Sequence, residues 1–213
     1  MAAFGFRPSR YTNGQPWNGA TIRCSMLSTL GTAIFIGDSV ILAGTSSTSA
    51  VDGAILNDVT HTSTTGKVYG IVTGVYPNSL VSPNLNIIYG PASVYREVMV
   101  CPIEPGLVFE TTMDTAQEVT GASAVQGTMY DIATTAGSTT TGLSGYTVVT
   151  SGGSSTASAV WMIIGVRNDP ANLATVGSVT ASKAVIMSAA TPTIIEVMCM
   201  EPQVLTTLVG AGV

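Results

Sequence analysis

Charge is what this chain has least of. Lys and Arg number 7 and Asp and Glu 12 among 213 residues, so charged side chains make up 9%, against about 25% in an ordinary soluble domain. The lysines are Lys67 and Lys183, and the arginines are scattered, so Arg7 with Arg10 forms the densest basic cluster. Gripping a phosphate backbone takes clustered cations. With a net charge of −5, no nucleic-acid partner is expected.

Titratable groups suited to catalysis are equally scarce. His61 is the one histidine, which excludes a two-histidine zinc site and the HExxH motif. There is no GxSxG elbow, since Gly142-Leu143-Ser144-Gly145 only approaches it. In the polar run Asp58–Thr64, His61 reads as a solvated loop histidine and not as a triad member. Gly66-Lys67 is followed by Val68 and lacks the upstream glycine of a phosphate loop. The carboxylates Glu104, Glu110, Asp114 and Glu118 read as solvated turn and strand-edge acids, not as a glycosidase pair. Met198, Cys199 and Met200 read as core packing, not as a soft-metal site. The sequence therefore predicts a protein that is not an enzyme, with no catalytic, cofactor-binding or metal-binding residue.

Cysteine is limited to Cys24, Cys101 and Cys199. An odd count without a CxxC pair predicts three buried thiols in a chain made in a reducing compartment. The opening MAAFGFRPSRY lacks an apolar signal core. No apolar run reaches the ~18 residues of a membrane helix. Intracellular synthesis without membrane insertion is the expectation, and no membrane partner is expected.

What is present is 46% hydrophobic residues with only 6% aromatics, the balance falling to Gly, Ser, Thr and Ala. Disorder needs low hydrophobicity and high charge, so the chain folds. At this length roughly 70% of the unfolded surface is buried without staples. Short runs rich in Val, Ile, Thr and Tyr recur between turn residues. They are Ala33–Leu42, Val68–Tyr76, Val94–Cys101, Leu107–Met113, Thr128–Ala133, Gly145–Thr150, Ala159–Val166, Lys183–Ser188 and Thr193–Met200. About nine short strands predict a mainly-β protein, a β-sandwich or β-barrel, with a jelly roll among the possible forms. Short helical turns are expected near Asp114–Ala124 and Asp169–Val176. Gly44–Thr65 and Ala136–Ser158 read as hydroxyl-rich loops, the second around one short strand.

Residues 1–20 stand apart. They lack strand periodicity, hold the turn dipeptides Asn13-Gly14 and Asn18-Gly19, and concentrate Phe4, Phe6, Tyr11 and Trp17. The expected organisation is an extended N-terminal arm over 1–20 and a single mainly-β domain over 21–213. Aromatics beside Arg7 and Arg10, stiffened by Pro8 and Pro16, are the composition of interface anchors. Phe4, Phe6, Arg7, Pro8, Arg10, Tyr11 and Trp17 are thus the expected partner-contact residues. Fold-back of the arm over its own barrel is the alternative.

Several motifs in order also carry a family resemblance. These are Phe4-Gly5-Phe6-Arg7-Pro8, Asn13–Gly19, the strand Ala33–Ile36 with Gly37-Asp38, and Tyr69–Gly74. Val94–Val100, Leu107–Glu110, Gly137–Tyr146 and Ile164–Pro170 follow. Together they resemble the decoration (cement) proteins of tailed-bacteriophage heads, and Lys183–Val213 departs from that pattern. The resemblance implies a virion structural protein on the capsid exterior that binds the major capsid protein and locks adjacent capsomers. It further implies self-association, with a homotrimer favoured over a homodimer. A receptor-binding or tail-fibre module is the alternative, against which stands the lack of shaft repeats or heptads.

Overall fold

A computed structural model describes residues 3–62, 66–77, 84, 86–114, 126–149, 159–167 and 194–203. The chain is mainly β. Five strands close a barrel in the order β2-β4-β3-β5-β6: β2 (Ile22–Met26), β3 (Ser39–Thr48), β4 (Ile55–His61), β5 (Gly70–Val75) and β6 (Arg96–Pro102). The β2–β4 pairing is parallel and the other four are antiparallel. A second, antiparallel sheet runs β1-β7-β12-β11-β8, from β1 (Arg7–Tyr11) through β7 (Leu107–Thr112), β12 (Ile194–Cys199) and β11 (Trp161–Val166) to β8 (Met129–Tyr130). A separate antiparallel pair joins β9 (Ile132–Ala133) and β10 (Thr147–Val148).

Barrel and sheet share a wall. Neighbouring side chains on a strand point to opposite faces. On β5, Val72 faces the barrel interior while Ile71 joins the core of the sheet; on β6, Val98 and Val100 face inward and Cys101 outward. Covered on both faces, these strands have no solvent side to mark with polar residues, which explains their imperfect alternation in the sequence. The barrel interior holds Cys24, Met26, Ile34, Val40 and Val59. The sheet core centres on Trp161, against which Phe6 stacks at 4.3 Å and Phe109 packs edge-on at 5.6 Å. All three cysteines are free and buried, as expected.

Three expectations need correction. Gly44–Thr65 is not a loop: β3 runs on to Thr48 and β4 occupies Ile55–His61. A bulge between Leu42 and Ser46 interrupts the pairing, and Gly44 lies in it at φ +79°. Bulged, exposed strands can be built from Ser and Thr because nothing apolar covers them. Second, the arm does not stay outside the sheet, because Arg7–Tyr11 pairs with β7 as an edge strand. Its short length, its Pro8 and an extra residue at Ser9 hid the period, and all three features are tolerated at an edge. Third, Ala33–Leu42 becomes a strand only from Ser39, since Gly37 takes φ +99° in the turn before it. Lys183–Ser188 and the expected helical turn at Asp169–Val176 lie outside the described residues, as does all but the first residue of Asp114–Ala124.

Candidate functional site

Three distant segments meet where β1 approaches the barrel. The Phe6 N–H donates to the Gly37 carbonyl at 2.9 Å. At this crossing Gly5 has φ +71° and Gly37 φ +99°. A Cβ on Gly5 would lie 2.5 Å from the Gly37 oxygen and from the Ser144 Cβ, and one on Gly37 would lie 2.4 Å from the Phe4 oxygen. Only glycine fits both the dihedral and the space. Phe4-Gly5-Phe6, Gly37-Asp38 and the 137–146 segment, separate motifs in the sequence, are thus parts of one junction.

Beside this junction lies a groove of about 370 Å³, lined by Phe4, Phe6, Arg7, Pro8 and Trp17 with Ile36, Val72, Thr73 and Leu143. Five of the seven residues expected to contact a partner are therefore brought together. Phe6 is 2% exposed and acts as the floor. Arg7 reaches over the Phe4 ring at 4.8 Å, and Leu143 is an exposed apolar side chain. The other two expected residues, Arg10 and Tyr11, do not line the groove. Ile36, Val72, Thr73 and Leu143 were not foreseen, because the sequence does not say which residues β1 crosses.

The arginines of β1 act within the chain. Register sets Glu110 of β7 directly opposite Glu196 of β12, a repulsive pair on one sheet face. Arg7 and Arg167 both reach Oε2 of Glu110, at 2.5 and 3.2 Å. Arg10 donates to both oxygens of Glu196, at 3.2 and 2.7 Å, and that hydrogen bond raises the Arg10 pKa. Glu110 is thus the centre of an ion-pair group, not a solvated edge acid. Tyr11 donates to Glu104 at 2.7 Å, which pushes its phenol up to about 12. The turn after β1 covers the strand's outer edge, where Trp17 N–H donates to Ser9 O. The segment thus folds back onto its own chain.

His61 is also not a solvated loop residue. At the end of β4 it donates from Nε2 to the Ala33 carbonyl at 3.0 Å, and Nδ1 lies 2.7 Å from the Tyr146 hydroxyl. A carbonyl only accepts, so the neutral ring carries its proton on Nε2 and Nδ1 accepts from Tyr146. Asp38 Oδ2 stands 3.8 Å from Nδ1 and accepts the Phe35 N–H at 2.8 Å. Burial raises the Asp38 pKa, with Ser144, Phe35 and His61 opposing. Burial, with Asp38 nearby, likewise raises that of Tyr146. The cluster ties β4 to the 137–146 segment. No protein-family model, curated protein or solved structure matches this chain.

Proposed function

We propose that this chain is a non-enzymatic virion structural protein of the head-decoration type. In this reading it sits on the capsid exterior and seats an uncharged, apolar segment of a major capsid subunit in the groove beside β1. The observation that carries the reading is the convergence of Phe4, Phe6, Arg7, Pro8 and Trp17 on one groove. Arg7, the one cation among the described lining residues, is paired with Glu110, so the groove carries no uncompensated positive charge to draw an acidic occupant. The charge-poor surface supports coverage by neighbouring proteins, and supports self-association as a trimer at threefold positions.

The test is co-sedimentation with shells lacking the protein. Leu143→Asp places a charge on an exposed edge of the groove. It is expected to weaken shell binding about tenfold or more while thermal unfolding stays unchanged. Full occupancy by that variant overturns the docking site. A copy number of a few per virion, not hundreds, overturns the decoration reading in favour of a fibre module.

A further inference from the structure

The turn dipeptides of the N-terminal segment, Asn13-Gly14 and Asn18-Gly19, are the only Asn-Gly pairs in the chain. All of these residues are exposed, and both glycines lie in the left-handed region, Gly14 at φ +87° and Gly19 at φ +83°. A Cβ on either would meet nothing within 4 Å, so both turns have open space around them. Each asparagine bends its carboxamide back over the peptide that follows. Asn13 Oδ1 accepts the Gln15 N–H at 3.0 Å, and Asn18 Oδ1 accepts the Ala20 N–H at 2.9 Å. The same donors would stabilise negative charge developing on those oxygens. The pairs differ at one atom. The Gly14 N–H is held by the Tyr11 carbonyl at 2.9 Å, inside a turn that the Tyr11 N–H closes onto Gln15 O at 2.7 Å. The Gly19 N–H has no hydrogen-bond partner among the described residues.

We propose that Asn18 is a site of spontaneous deamidation, converting to aspartate and isoaspartate faster than Asn13. The Gly19 amide gives its proton to water or hydroxide, and its nitrogen attacks Cγ of Asn18. The Cγ–Nδ2 bond breaks, Nδ2 leaves as ammonia, and a cyclic imide remains. Water then adds to either imide carbonyl and breaks its bond to the ring nitrogen. One opening gives aspartate; the other gives isoaspartate, with the main chain routed through Cβ and Cγ. Glycine permits the attack because no side chain shields its nitrogen. At Asn13 the corresponding nitrogen must first give up its bond to Tyr11, and losing a backbone hydrogen bond of ordinary strength slows the step about fivefold. Backbone bonding, not the dipeptide itself, therefore sets the order in the folded chain. The carboxylate formed stands next to Trp17, a wall of the groove beside β1. The inference stands apart from the capsid reading, because it asks nothing of what occupies that groove.

The experiment incubates the full chain in warm, mildly alkaline buffer and follows both sites by peptide mapping, with isoaspartate counted by enzymatic methylation. Asn18 is expected to convert about fivefold faster than Asn13 in the folded chain. The rates should converge in urea, where the bond from Gly14 to Tyr11 is gone. Asn18→Gln should abolish product at position 18, because the longer side chain closes its larger imide ring far more slowly, and should leave Asn13 unchanged. Equal rates in the folded chain, a faster Asn13, no conversion at Asn18, or an order that survives unfolding each overturns the proposal.

Discussion

Phe6→Ala is the substitution that most directly separates an arm that serves the fold from one that hangs free. Phe6 is 2% exposed and lies flat on Trp161, with an interplanar angle of 20°. Trp161 is itself 1% exposed and meets Phe109 edge-on, so the hole left by the benzyl group has rigid walls and cannot collapse. Truncating a buried Phe to Ala costs about 3–5 kcal/mol when the cavity persists. Of this, about 0.5–1.5 kcal/mol is the loss of the aromatic pair. Against a total stability of about 5–15 kcal/mol, the variant would be near the edge of folding at 37 °C. Urea unfolding followed by Trp fluorescence and by circular dichroism measures the change. Phe6→Leu is the control, and should lose less because it keeps most of the volume. A loss below about 1 kcal/mol in Phe6→Ala would refute the reasoning and restore the free docking arm.

Four further outcomes follow from the same geometry. His61→Ala leaves the buried Tyr146 hydroxyl without its acceptor and should cost about 1–3 kcal/mol; in a double-mutant cycle with Tyr146→Phe the losses should not add. Glu110→Gln removes the anion that faces Arg7 and Arg167, and should cost about 1 kcal/mol or less because both arginines are partly exposed, with the difference shrinking as salt rises. Arg23 holds the Asp52 carboxyl at about 2, below its ordinary 3.8. The depressed value means the pair's contribution is present above about pH 4 and is lost as pH falls through 2; Arg23→Ala should return the Asp52 titration, followed by NMR, toward the ordinary value. Burial pushes the thiols of Cys101 and Cys199 up to about 12 and that of Cys24 to about 11. DTNB should therefore label none of the three in native protein and all of them in urea; rapid native labelling would refute their burial.

The mainly-β class was legible because β-branched runs between turn residues depend only on local chemistry. So was the clustering of Phe4, Phe6, Arg7, Pro8 and Trp17, since aromatics and prolines beside arginine stand out in a chain with few charges. Their destination was not legible. Whether Phe6 meets Trp161 or a neighbour's surface depends on a contact across more than 150 positions, and no period in RPSRY betrays a five-residue edge strand with a bulge. The place of His61 is hidden for a related reason: β4 carries Asn57, Asp58 and Thr60, a polar run with the composition of a loop. Asp58 is in fact buried and held by the hydroxyls of Ser25 at 2.8 Å and Thr45 at 2.7 Å. A Ser/Thr-rich chain can bury an acid against hydroxyls, so polarity alone does not mark its surface. The positive-φ glycines were the overlooked signal, since Gly5 and Gly37 are each fixed by the same backbone crossing.

That crossing also bears on how docking would act on the fold. The groove draws on β1, on the turn into β3, on β5 and on the 137–146 segment, so an occupant touches parts of the chain that are far apart in sequence. β5 and β6 supply side chains to both cores, and the barrel therefore cannot open without exposing Ile71 and Cys101 of the neighbouring core. Such coupling favours cooperative unfolding of barrel and sheet together. A partner that binds only the assembled groove stabilises the folded form by mass action, by about 2.7 kcal/mol at a hundredfold excess over Kd. Because the junction joins both bodies, that stabilisation would be distributed to the barrel and the sheet alike. A groove confined to one of them would leave the other free to fray. For a protein whose proposed task is to resist separation of the surfaces it joins, the placement of the groove at the shared junction matters more than its modest volume.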